Sequence, residues 1–317
     1  MEVGGGAPFH FGGRDVTPPA DSDPNQIFPS LGSVVREDEP MSRHTTLAVG
    51  GPADHYVEVG SRDQLRRLNA FCRERGLPLF PVGQGSNLLV EDGGIRGVVV
   101  RLRGDFETFA FNGDEAAAGA GALMPALANA CAEKGLAGAE FMAGIPGTLG
   151  GGLLTNAGTP EGDLGSIVQS VEVFDGEFSS RPRERLEFSY RHANLGGNIV
   201  TAVVLKFRRG DPGEIRALMQ RQLDRRAERQ PLGTFNCGSV FKNPPGDHAG
   251  RLIEAAGLKG LRIGGARISP KHANFIENTE KAGAADVKAL IDLARARVKE
   301  RFGVELELEV WRAGVPR

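Results

Sequence analysis

Five glycines and a proline fall within the nine residues from Gly144 to Gly152. Glycine loses the most backbone entropy on ordering and has no side chain to pack, so this density is poorly suited to an ordinary helix or strand. Such a stretch either holds unusual dihedrals or lets another group come close to the backbone. A second loop has the same character: Gly83-Gln84-Gly85-Ser86-Asn87, set between the strand-like runs Leu79-Phe80-Pro81-Val82 and Leu88-Leu89-Val90. Alone, it reads equally as a tight turn and as an anion cradle. Two such loops in one chain favour backbone N–H groups closing around a diphosphate.

The usual nucleotide signatures are missing. There is no G-x-x-x-x-G-K-[ST], and Leu88 stands where a G-x-G-x-x-G fingerprint has its third glycine, which disfavours a P-loop enzyme and an ordinary Rossmann site. Lys+Arg 38 against Asp+Glu 40 leaves a net charge of -2, so no global positive field draws nucleic acid or anionic membranes. Cys72, Cys131 and Cys237 are odd in number and far apart, and the six histidines make no ligand spacing. Neither a disulfide framework nor a metal site is therefore expected. No run approaches the ~18 apolar residues that span a bilayer, and the N-terminus lacks the regions of a signal peptide. A cytoplasmic protein without membrane or nucleic-acid partners is expected, as a monomer.

At 317 residues the chain has room for roughly two domains of about 150 residues each. Residues 1–30 hold ten Gly or Pro with little periodicity, and residues 1–40 are expected to be a disordered tail. A two-lobed domain is expected over 41–211, with lobes at about 41–103 and 104–211. Ser61 opens its first helix, which carries Leu65, Leu68, Phe71 and Cys72 on one face, and Gly76 closes it. The composition change at Arg208-Arg209-Gly210-Asp211-Pro212-Gly213 suggests that a second domain occupies 212–317. That domain would start with an arginine-rich helix bearing Ile215, Leu218, Met219 and Leu223. A short helix capped by Asp247 follows, then a longer one over Asp286 to Phe302. The last expected element is a strand, with Val304, Leu306, Leu308 and Val310 facing one way and Glu305, Glu307, Glu309 and Trp311 the other.

Several segments resemble one family. Gly50-Gly51-Pro52-Ala53-Asp54, the run from Pro81 to Val90 and Gly144-Ile145-Pro146-Gly147-Thr148-Leu149-Gly150-Gly151 are similar to the FAD-binding domain of UDP-N-acetylenolpyruvoylglucosamine reductases. Phe188-Ser189-Tyr190-Arg191, Gly238-Ser239-Val240-Phe241-Lys242-Asn243-Pro244, Ser269-Pro270-Lys271-His272-Ala273-Asn274-Phe275 and Glu307-Leu308-Glu309-Val310 extend the likeness through the C-terminal half. The resemblance implies an α+β fold: a two-lobed FAD-binding domain of the vanillyl-alcohol-oxidase (PCMH) type followed by a C-terminal α+β substrate domain. It also implies a two-step reaction. NADPH reduces non-covalently bound FAD, which passes hydride to the enolpyruvyl group of UDP-N-acetylglucosamine enolpyruvate, giving UDP-N-acetylmuramate for peptidoglycan. Only 48 positions separate Arg191 from Ser239, too few for the inserted tyrosine loop of one family subtype, so the subtype lacking it is expected.

The family's catalytic positions fall on Arg191, Ser239 and Glu309. A guanidinium suits charge growing on a carboxylate or enolate, a hydroxyl can protonate an enolate carbon, and a carboxylate can assist enolate formation. On residue type alone, the same three read as a surface arginine, a turn serine and a solvated carboxylate. The resemblance places FAD against Pro81, Val82, Gly83, Gln84, Gly85, Ser86, Asn87, Leu88, Gly144, Ile145, Pro146, Gly147, Thr148, Gly150, Gly151 and Asn156. It brings the UDP-sugar to Arg191, Lys242, Asn243 and Lys271, with Arg229 as a further cation. The other arginines of that helix read as a solvated basic face, Tyr190 as a packing partner of Phe188, and His272 and buried Cys237 as structural. Two rivals are a flavin oxidase of the same fold and a nucleotide-sugar sensor without turnover. Such oxidases often tether FAD through His or Cys, and neither glycine loop contains either residue.

Overall fold

The computed structural model describes residues 34–317. The first lobe begins before the expected boundary at residue 41. Val35–Pro40 (β1) pairs antiparallel with Pro52–Val59 (β2), Val35 opposite Val57 and Pro40 opposite Pro52. A polar edge strand with one buried position gives no hydrophobic alternation to read. The remainder of the expected tail, residues 1–33, lies outside the described residues.

Ser61 accepts the Gln64 N–H at 3.3 Å and starts α1 (Arg62–Arg75), which buries Leu65, Leu68 and Cys72 and ends at Gly76 in the left-handed region. Leu79–Val82 (β3), Leu88–Val90 (β4) and Ile95–Leu102 (β5) follow. One four-stranded sheet runs in the order β1-β2-β5-β3, with β2 and β3 both parallel to β5. The first glycine loop leaves the C-terminal end of β3.

The second lobe is an antiparallel sheet. It contains Phe109–Asn112 (β6), Glu115–Gly119 (β7), α2 (Met124–Glu133), α3 (Leu149–Leu154), Val168–Phe174 (β8), Phe178–Pro182 (β9), the small hairpin of Phe188–Ser189 (β10) and His192–Ala193 (β11), and Ile199–Lys206 (β12). The five main strands lie in the order β9-β8-β12-β7-β6. Val57, Leu65 and Leu68 of the first lobe share one apolar cluster with Leu127, Val171 and Leu205 of the second, so the lobes form one folded body.

Asp211 caps α4 (Pro212–Arg229) by accepting from the N–H groups of Gly213 and Glu214. This helix, assigned from sequence to the second domain, instead sends Ile215 and Met219 into the core of the second lobe. The change of body comes after Arg229. Capping and periodicity fix a helix from sequence but not the surface that it covers.

The C-terminal domain contains Phe235–Asn236 (β13), α5 (Ala249–Ala255), Arg262–Ile263 (β14), Ala266–Ile268 (β15), Ile276–Asn278 (β16) and α6 (Ala284–Phe302). Its antiparallel sheet has the order β13-β16-β15-β14. As expected, α6 turns Val287, Leu290, Ile291, Ala294 and Val298 inward. Asp247 does not cap α5. The N-cap is His248, and Asn243 Oδ1 receives the Ala249 N–H at 3.1 Å.

The strand expected over 304–311 is right in part: among the described residues, 304–310 joins no ladder. Leu306 and Val310 are buried, and the segment meets the 240–242 segment through one bridge, Phe241 with Leu308. Pairing resumes at Trp311–Ala313 (β17), which lies parallel to β4, with Trp311 opposite Leu88. The first lobe is fastened to the C-terminal domain a second time, because the Asp92 carboxylate accepts the Ala284 and Ala285 N–H groups at 2.7 and 2.9 Å and so caps α6 from outside its own domain.

Candidate active site

Between the two-lobed body and the C-terminal domain opens a cleft of ≈ 2330 Å³, more than twice the roughly 300–1,000 Å³ of ordinary small-molecule pockets. One wall is built from the two glycine-rich loops. Gly83 to Asn87 and Gly144 to Thr148 both line it, and Ser86 Oγ donates to the Pro146 carbonyl at 3.0 Å, tying one loop to the other. Gly85 has φ +62, and a Cβ there would lie 2.2 Å from the His44 carbonyl oxygen; a Cβ on Gly83 would lie 2.5 Å from Thr148 Oγ1. The loops therefore close only with glycine at these positions. Thr148 caps α3, with its hydroxyl accepting the Gly151 N–H at 3.4 Å.

Not every residue assigned to the cofactor reaches this wall. Pro81, Val82, Leu88, Gly151 and the two loops do. Gly150 lies behind it, where its missing Cβ would stand 3.0 Å from the Ala120 Cβ. Asn156 is also behind, buried, and uses both ends of its amide: Nδ2 donates to the Ser189 carbonyl at 3.1 Å, and Oδ1 accepts the Gly165 N–H at 2.8 Å. Asn87 does line the cleft, but its amide donates to the Glu309 carbonyl at 3.0 Å.

The opposite wall is made of side chains. Ser239 and Lys242 sit on the 239–242 segment, held from two sides. Buried Asn274 receives the Phe241 N–H on Oδ1 at 3.0 Å and donates from Nδ2 to the Phe241 carbonyl at 2.8 Å. On the other side, the Glu309 N–H donates to the Val240 carbonyl and the Lys242 N–H to the Glu307 carbonyl, each at 2.9 Å. Backbone pairing thus brings Ser239 and Glu309 onto one patch, although 70 positions separate them in sequence.

Arg191 comes from the other body, at the tip of the β10–β11 hairpin, and crosses the cleft. Its Nε donates to Glu309 Oε1 at 2.8 Å, with side-chain exposures of 23% and 17%. Burial pushes the Glu309 carboxyl above the usual range, opposed by Arg191 and more weakly by Lys242. Glu309 is not the solvated carboxylate that strand alternation alone suggests. The three sequence-predicted catalytic residues all line one cleft.

Other assignments are corrected. Tyr190 does not pack on Phe188: it is 53% exposed, its hydroxyl accepts the Asn243 N–H at 3.4 Å, and the Arg191 guanidinium carbon lies 5.0 Å from its ring centre. Asn243 and Lys271 are not on the cleft wall; Asn243 starts α5, and Lys271 Nζ donates to the Ala227 carbonyl. The α4 arginines are more than a solvated face. Gln222, Arg225, Arg226 and Arg229 all line the cleft, and Arg226 Nε and Gln222 Nε2 are buried without a hydrogen-bond partner among the described residues. Their spacing of three, four and seven residues from Gln222 was the available signal. Cys237 is buried, and burial pushes its thiol up to about 12, which leaves it inert.

Residues 230–312 match the C-terminal domain of UDP-N-acetylenolpyruvoylglucosamine reductase, and residues 53–177 match an FAD binding domain. The reductase 2 of Symbiobacterium thermophilum is 47% identical over 280 residues, covering 87% of this chain and 91% of that protein. The chain belongs to the UDP-N-acetylenolpyruvoylglucosamine reductase family. The Moorella thermoacetica reductase is 48% identical over 287 residues, covering 89% and 94% of the two chains. The crystal structure of the Thermus caldophilus reductase superposes with a TM-score of 0.78 at 41% identity, over 89% of this chain and 98% of that one. Membership of this reductase family makes the chain an FAD- and NADPH-using oxidoreductase of α+β fold. Among the described residues, no helix is long and apolar enough to cross a membrane.

Proposed function

We propose that the chain reduces the enolpyruvyl double bond of UDP-N-acetylglucosamine enolpyruvate to UDP-N-acetylmuramate, a step of peptidoglycan synthesis, with Arg191, Glu309 and Ser239 as its catalytic residues. The observation that carries this reading is the Arg191–Glu309 pair spanning the cleft beside Ser239. The glycine-lined wall fits a dinucleotide: its loops present backbone without bulky side chains, and they cannot close if side chains are added at Gly83 or Gly85. FAD bound there supplies a two-electron carrier that accepts hydride from NADPH and delivers it to carbon.

The chain's own residues manage the charge that hydride addition creates. When hydride joins the terminal methylene carbon, the π electrons move onto the neighbouring carbon and its carboxylate. Arg191, permanently cationic, meets that charge with its planar fork. Glu309, its carboxyl raised by burial, lies against the same guanidinium and fixes its direction. Ser239 O–H gives its proton to the enolate carbon and is resupplied from solvent, completing the addition of H⁻ and H⁺. Lys242 and the α4 cations Arg225, Arg226 and Arg229 hold the phosphates. NADPH and the UDP-sugar use the cleft in turn, which gives ping-pong kinetics.

The test is the visible spectrum of the purified protein under anaerobic conditions. A flavin spectrum that bleaches with NADPH and returns with the UDP-sugar is expected. Bleaching without return would reject the substrate, and a colourless protein that cannot take up FAD would reject the whole reading.

A further inference from the structure

Asn156 is 3% exposed and adopts φ +40, a backbone conformation that asparagine tolerates better than most residues. It follows the last turn of α3, whose N-terminal end begins at Thr148 on the cofactor wall. Its amide reaches the β10–β11 hairpin at the Ser189 carbonyl and the 165 loop at the Gly165 N–H. Gly165 allows this approach, since a Cβ there would lie 2.6 Å from Phe188 and 3.1 Å from Asn156 Oδ1. Ser189 pairs with His192, leaving Tyr190 and Arg191 as the two-residue turn, and Arg191 adopts φ +55. A glycine would relax that turn; the chain instead keeps a long cationic side chain in the left-handed region.

We propose that Asn156 is a positioning residue for Arg191: its buried amide clamps the hairpin base so that the strained tip aims the guanidinium at Glu309 and the substrate carboxylate. A short helix therefore meets the cofactor loops at its start and carries the clamp for the substrate arginine just past its end. The inference rests on the proposed function, and it departs from the expectation that Asn156 touches FAD.

Two variants test it. Asn156→Gly suits the φ but removes both hydrogen bonds. It should retain flavin and bleach with NADPH at the wild-type rate, yet return colour with the UDP-sugar at least tenfold more slowly. Affinity for UDP-N-acetylmuramate, read by Trp311 fluorescence or calorimetry, should fall by a similar factor. Asn156→Asp keeps the acceptor for Gly165 but faces an oxygen to the Ser189 carbonyl. Only its protonated form can donate there, so its return step should speed up as pH falls, relative to the wild type, while that of Asn156→Gly does not. Wild-type return rates and product affinity in both variants would overturn the proposal. So would flavin loss in step with turnover, which would make Asn156 a cofactor residue. A wild-type protein that NADPH fails to bleach would instead count against the functional reading itself.

Discussion

The two walls of the cleft are built in opposite ways. The cofactor wall depends on side chains that are missing, in loops whose glycines leave no room for a Cβ and which the Ser86–Pro146 hydrogen bond ties to each other. The substrate wall is made from side chains, each placed by a partner distant in sequence: Glu309 by Asn87 and Val240, the serine segment by Asn274. The first wall should therefore be most damaged by adding an atom, and the second by removing one.

The largest effect that tests this contrast comes from one methyl group. Gly85→Ala combines a positive φ, worth about 1–2 kcal/mol, with a backbone clash at His44, and should yield protein purified without flavin. A variant as yellow as the wild type would break the contrast. Next is Ser239→Ala, expected to lower turnover by about 10²–10⁴-fold while flavin content and bleaching by NADPH stay unchanged. If bleaching fell with turnover, the walls would not be separable.

The smallest effect concerns pH. His272 Nδ1 accepts the Asn274 N–H at 3.2 Å, and burial holds its pKa below the ordinary value, so the folded chain keeps it neutral where the unfolded chain protonates it. That contribution to stability is complete above about pH 6.5 and is lost as pH falls through the lowered folded value, at no more than about 1.4 kcal/mol per pH unit. Melting temperature against pH should be flatter for His272→Gln. An identical slope would mean that this wall is insensitive to the histidine.

Legibility in the sequence divides along the same line. The glycine loops, the Ser61 cap, the Gly76 stop and the inward face of α6 were readable because each depends on residues within a few positions of one another. The placement of α4 on the second lobe, the Asp92 cap on α6 and the double use of Asn156 were not, because each is settled by a partner brought close only by folding. The 304–310 segment lies between these cases. Its alternation gave the burial of Leu306 and Val310 but missed that of Glu309, and period two records which side faces inward and not whether a neighbouring strand exists. Arg191, Ser239 and Glu309 were identified by resemblance; local pattern alone favoured none of them.

The pairing of β17 with β4 also sets an order of events during synthesis. Asn87 and Glu309 are 222 positions apart, and β17 comes later still. Residues through 313 must leave the ribosome before the first lobe receives β17, and the segment just before that strand brings Glu309 to the cleft. The glycine-lined side of the cleft and the carboxylate proposed to act in it are thus completed together, and a chain stalled before residue 309 has neither the finished lobe nor Glu309.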